Sequence, residues 1–185
     1  MNDLDPKRRP FFSGAPTFPL SHRLHRAAFQ LAWLLLARWT PPPLRAWRAA
    51  ILNVFGADVD PTANVYPSAR VWYPPNLVVR ERAVMGPGVI CYCMDKITIG
   101  QRTVISQRSH LCAGTHNVDD ADFSLQTAPI TIGADAWVAS EAFVGPGVTV
   151  GDGAVLGARA VTVKDLAPWS IYAGNPARML RRRMR

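Results

Sequence analysis

From Ile132 onward an aliphatic or small residue returns at every sixth position, through Val138, Val144, Val150 and Leu156 to Thr162. Ala136, Ala142, Val148, Ala154 and Ala160 follow four places after each of the first five. A strand alternates its faces with period two, so six residues accommodate one short strand and a turn that carries the chain round a corner. Gly133, Gly145, Gly151, Gly153 and Gly157 are expected to supply the permissive corners. The pattern predicts an all-β solenoid, a parallel β-helix of hexapeptide repeats in which each coil buries its inward side chains on the next.

Two earlier blocks obey the same rule: Val59, Val65, Val71 and Leu77, then Ile99, Ile105 and Leu111, with Val79, Met85, Cys91 and Ile97 between them. The phase slips by two at residues 77–79 and again at 97–99. A two-residue slip preserves the inward face of a strand, so each marks a corner with a longer loop. Between Leu111 and Ile132 the step of six becomes twenty-one, and fifteen residues must leave the coil. Long excursions from a regular scaffold concentrate function.

Upstream, residues 1–19 read as an irregular polar and proline-rich arm. Two amphipathic segments follow, split by Pro41, Pro42 and Pro43, and predict a helical hairpin. Leu24, Ala28, Leu31 and Leu35 share one face of the first; Leu44, Trp47, Ile51 and Phe55 share one face of the second. The apolar run over 27–37 is too short for the roughly 20 residues that cross a bilayer. Arg23, Arg26, Arg38, Arg45 and Arg48 beside Trp33, Trp39 and Trp47 suit peripheral membrane contact through residues 20–55, and equally suit helices that cover the solenoid end. Three segments result: 1–56, arm and helices; 57–166, β-helix with a projecting loop over 112–131; and 167–185, a basic C-terminal segment.

The 185 residues suffice for one core with a helical attachment, and the 16 prolines and 13 glycines fit a turn-rich chain. Three cysteines, Cys91, Cys93 and Cys112, and no secretory pattern at the start point to a reducing cytoplasm. The net charge of +8 is concentrated toward the ends, with Arg178, Arg181, Arg182, Arg183 and Arg185 at the C-terminus. Such a run attracts nucleic acid, anionic lipid or a polyphosphate cofactor. Nucleic acid is not expected, because no stacking aromatics accompany the arginines and no groove-reading motif is present.

Of four histidines, His22 and His25 fall in the helices, and His110 and His116 in the solenoid. His116 stands at the root of the long excursion, where a base is both fixed and accessible, and a neutral imidazole suits general-base catalysis of acyl transfer. Asp119, Asp120 and Asp122 follow closely and either orient the ring, bind a polar acceptor or form a solvated loop face. Cys91, Cys93, Cys112 and His116 match no standard zinc framework, so no metal is expected.

The hexapeptide blocks, the segment CAGTHN, the stretch ITIGADAWVAS, the ending AGNPARMLRR and the helical WRAAILNVFGADV together resemble bacterial hexapeptide O-acetyltransferases over roughly residues 16–182. Within them the sequence is most similar to the colanic acid biosynthesis acetyltransferases of the WcaF type, related to maltose and galactoside acetyltransferases. The resemblance implies a left-handed parallel β-helix, a homotrimer, and an acetyl-CoA site in the cleft between subunits. It implies an acetyl-CoA dependent O-acetyltransferase acting on a sugar hydroxyl of an exopolysaccharide or surface glycan, with His116 as general base. Trp137 matches the aromatic that lines the cleft, and Ser140 the residue whose backbone amide faces the thioester oxygen. Ala158 and Lys164 fall where the family holds the pantetheine and nucleotide portions of coenzyme A, and Arg178 and Arg181 match the pair that meets its phosphates.

The sequence departs from the family at Val163, where relatives carry a threonine, and at Gly86 and Met94, which align near the sugar-holding Asn and Asp of the galactoside branch. Tyr92, Asp95, Asp119 and Asp120 are the polar groups available for a different acceptor pocket. The helices would suit a lipid-linked acceptor at the inner face of the cytoplasmic membrane. Two rival functions share the scaffold: a noncatalytic binding protein, and a γ-type carbonic anhydrase, which needs three zinc-binding histidines.

Overall fold

The computed structural model describes residues 17–184. The expected arm over 1–19 therefore lies outside the described residues, apart from its last three positions, as does Arg185. The solenoid makes about 6 turns. Its first face stacks Asp58–Val59, Leu77–Val79, Ile97–Ile99, Ile130–Ile132 and Thr149–Val150 in parallel. A second face runs from Asn64–Val65 through Val84–Met85, Val104–Ile105 and Trp137–Val138 to Val155–Leu156 and Ser170–Ala173. The third carries Arg70–Val71, Ile90–Tyr92, His110–Cys112, Phe143–Val144 and Val161–Thr162.

Every position read as inward, from Val59 to Thr162, is buried, and the small residues four places on are buried with them. Both phase slips fall on the first face. There the strands are three residues long and bury both ends, so Leu77, Ile97 and Ile130 stack in one column and Val79, Ile99 and Ile132 in another. A short 3-10 turn over Pro74–Asn76 supplies the longer corner before the first slip.

The corners differ from the glycine reading. Of the five glycines named, only Gly153 has positive φ, and the left-handed positions are held mostly by Arg82, Arg102, Asp135, Arg108, Glu141 and Arg159. Their side chains pair between coils: Arg102 clamps Asp135 with two contacts of 2.7 Å, and Arg159 meets Glu141 at 2.6 Å. Gly133 is required for another reason, since a Cβ there would run into Asp152 of the next coil.

Helix α1 (Leu20–Leu36) lies against the lower coils and α2 (Arg45–Val54) closes the solenoid end on Asp58–Val59 and Asn64–Val65. Ile51 and Leu52 bury on that end, whereas Leu44 and Trp47 of the expected α2 face are half exposed. In α1 the packed face is His22, Phe29, Trp33 and, just beyond the helix, Ala37, with the Trp33 indole donating to the Pro67 carbonyl at 3.1 Å. The stripe of Leu24, Ala28, Leu31 and Leu35 is the opposite, exposed face. Arg48 is a second departure. It is fully buried, donating to the carbonyls of Val65, Pro41 and Pro42, to Thr40 Oγ1 and to Asn64 Oδ1. It therefore ties the proline turn and α2 to the first coil and is no surface charge. No helix among the described residues is long and apolar enough to cross a membrane.

Candidate active site

The long excursion is a β-hairpin. Gly114–His116 pairs antiparallel with Leu125–Thr127, which returns the chain to Ile130 in register with Ile97 below. It leaves at the corner between the third and first faces, above Met94 and Asp95. At the root, a Cβ on Gly114 would stand 2.5 Å from the sulfur of buried Met94, so a larger residue there must displace that side chain.

His116 ends the outgoing strand. Its Nδ1 lies 2.8 Å from the carbonyl oxygen of Phe123, and the two rings stack with centroids 4.4 Å apart and planes 9° from parallel. A carbonyl only accepts, so in the neutral ring Nδ1 carries the proton and Nε2 is the basic nitrogen. Phe123 itself sits at φ 47°, a left-handed conformation that a bulky residue rarely adopts. The group that orients the imidazole is thus a backbone oxygen held by a tight loop. Asp120 instead accepts from the Asp122 amide at 3.1 Å, and its bond with the Ser124 side chain is the main cause that holds its carboxyl below the usual range. Asp119 is exposed, and its amide donates to Asn117 Oδ1.

Tyr92 and Asp95 lie beneath this hairpin. Tyr92 stands beside Cys112 in register, and burial, with Cys112 adding, pushes its phenol up, so its hydroxyl stays a donor at neutral pH. Asp95 caps its own corner by accepting from the Lys96 amide at 2.6 Å. Met94 is buried and Gly86 carries no side chain, so neither offers a polar group to an acceptor.

Trp137, Ser140 and Ala158 gather at a different corner, between the second and third faces. Trp137 is half exposed and its indole donates to Ser106 Oγ at 2.9 Å. Ser140 and Ala158 line an open groove of about 830 Å³ with Gln107, Arg108, Glu141 and Arg159. The Ser140 carbonyl is taken by the Arg159 amide at 2.9 Å, whereas the amides of Ser140 and Ala158 have no acceptor among the described residues. Across the third face, toward the corner that carries the hairpin, a separate cavity of about 140 Å³ is lined by Thr162, Val163, Lys164, Pro176, Ala177 and Arg178. Arg178 lies opposite Ala173 and Arg181 opposite Ile171, because a bulge interrupts the antiparallel strand Arg178–Arg182. Ala173 and Ile171 share a face of their strand, and the bulge therefore aligns the two arginines.

The hairpin and the groove at Ser140 do not meet within one chain. From Ser140 to the corner at Pro146, level with the hairpin, is one side of a coil, six steps of ~3.3 Å or roughly 20 Å. Among the described residues no three His, Cys, Asp or Glu side chains come together as a metal site.

A six-residue solenoid with a histidine on a projecting hairpin and outward amides along a corner groove defines a hexapeptide-repeat transferase. The chain belongs to the hexapeptide-repeat acetyltransferase family that includes WcaF of Escherichia coli (strain K12), a provisionally assigned colanic acid biosynthesis acetyltransferase, with 40% identity over 158 residues, 84% of this chain and 87% of that protein. A maltose O-acetyltransferase from Clostridium difficile 630 superposes with a TM-score of 0.79 at 25% identity, covering 90% of both chains. A hexapeptide-repeat acetyltransferase of Vibrio cholerae, solved with acetyl coenzyme A, shares the fold with a TM-score of 0.81 at 21% identity over 92% of this chain and 93% of its own. No family model matches the chain.

Proposed function

We propose that the protein is an acetyl-CoA dependent O-acetyltransferase that modifies a sugar hydroxyl of an exopolysaccharide or surface-glycan precursor. His116 Nε2 takes the proton of the acceptor hydroxyl as its oxygen attacks the thioester carbon. The Ser140 amide donates to the oxyanion that forms. As the carbon–sulfur bond breaks, the imidazolium returns its proton to the departing thiolate. Trp137 walls the cleft, Ala158 offers its amide to the cofactor arm, and Lys164, Arg178 and Arg181 meet the phosphates. Tyr92, Asp95, Asp119 and Asp120 border the acceptor side.

The separation of His116 from Ser140 supports a homotrimer in which the hairpin of one subunit faces the groove of the next, because a site using both needs two copies. A lipid-linked acceptor places the reaction in the cytoplasm, at the inner face of the membrane. The observation that carries the reading is the Phe123 carbonyl on His116 Nδ1, which leaves the other nitrogen basic. Acceptor-dependent release of coenzyme A, with a glycan-precursor extract, tests it: His116→Ala should abolish a release that the wild type sustains, and equal release by both would remove His116 from the mechanism.

A further inference from the structure

Helix α1 is apolar on two sides. Phe29 and Trp33 bury against the solenoid, while Leu20, Leu24, Leu31, Leu34 and Leu35 form an arc on the opposite side. At 3.6 residues per turn these five, with Ala27 and Ala28 between them, span about 120° of the helix and ~22 Å of its length. Leu24 is 59% exposed, Leu31 58% and Leu35 65%. A second apolar face is one that burial in the fold does not account for, and nothing in this chain covers the outer arc among the described residues. Trp39, 81% exposed, and Trp47, whose indole donates to the Leu36 carbonyl at 2.9 Å, extend the apolar surface beyond the helix end.

Charge identifies the occupant. Not one Asp or Glu lies between Asp5 and Asp58. Arg23 borders the arc, and Arg38 and Arg45 follow its end, all three exposed. Arg26 and Arg48 turn inward, Arg26 over the Trp72 ring at 4.3 Å, so the outer rim is built of the cations that packing does not use. A convex ridge of leucine, tryptophan at one end and arginine at its margin suits a fluid surface that conforms to it and carries negative charge.

We infer that the outer face of α1 lies in the headgroup region of an anionic phospholipid bilayer, parallel to the membrane plane, and holds the enzyme there. The inference deepens the reading of a lipid-linked acceptor, but docking is measured apart from catalysis. Flotation of the full chain with vesicles of phosphatidylcholine and phosphatidylglycerol, against phosphatidylcholine alone, tests it. Wild type and His116→Ala should float equally with the anionic vesicles, and less in 0.5 M salt. Leu31→Glu with Leu35→Glu, at positions that support no packing, should cut partitioning about tenfold or more while transfer to a soluble acceptor persists. Wild type that stays unbound at low salt, or a double variant that floats as well, overturns the inference. A vesicle-free mass by light scattering that falls in the double variant would also overturn it, by showing that a second copy covers the arc.

Discussion

The imidazole of His116 lies flat on the ring of Phe123 and is bonded through Nδ1 to the carbonyl of that same residue. One residue of the loop thus bears on both the plane and the tautomer of the imidazole. Phe123→Ala keeps the carbonyl and removes the stacking surface. It should lower kcat roughly tenfold through loss of orientation, with KM for acetyl-CoA nearly unchanged. Steady-state kinetics at saturating acceptor will show whether the loss falls on kcat.

Lys164 and Arg178 line one cavity, where two cations side by side suit the phosphates of coenzyme A. Arg178→Ala should raise KM for acetyl-CoA about tenfold with a smaller effect on kcat, and Arg178→Lys should recover only part of the loss. A change confined to kcat would place Arg178 elsewhere in the reaction.

Arg48 satisfies five acceptors from a fully buried position. Removing it leaves the buried Val65 carbonyl without its donor and opens a cavity at the solenoid end, so Arg48→Ala should cost about 3 kcal/mol of stability, read as a lowered denaturant midpoint. By contrast Arg45→Ala, on the exposed side, should change stability by less than about 0.5 kcal/mol.

His22 and His110 are both held below the ordinary imidazole value of 6.5, chiefly by burial, with Arg26 and His25 contributing at His22. Between the depressed folded values and 6.5 the unfolded chain binds more protons. Stability is therefore full above about 6.5 and falls as the pH drops through that range. Thermal melts from pH 7 to 5 should show a declining Tm, and His22→Phe with His110→Phe should flatten the decline. Asp135 and Glu141, lowered first by their bonds to Arg102 and Arg159, lose their contribution only lower, in the carboxylate range.

The inward column was legible because burial in a solenoid imposes a strict period, and even the slips at 77–79 and 97–99 name the strands that bury both ends. His116 was legible as the root of an interruption. Its orienting partner was not, since a backbone carbonyl leaves no mark on residue type. The outward arc of α1 was visible as a stripe, but a helix with two apolar faces does not say which one packs. Arg48 looked like its exposed neighbours because only the fold brings Val65, Asn64 and the proline carbonyls around it. The corner glycines misled for a related reason: paired charges such as Arg102 and Asp135 hold left-handed turns that the pattern assigns to glycine.

The most direct test of the account is acetyl transfer by mixed oligomers of two inactive variants, His116→Ala and Ala158→Trp, the second filling the groove. With the hairpin and groove of each working site supplied by different subunits, as proposed, random mixing should leave one half times one half of the sites intact and restore about a quarter of wild-type activity. Mixtures as inactive as either variant alone, in oligomers shown to have exchanged subunits, would contradict a site shared between His116 of one copy and the Ser140 groove of the next.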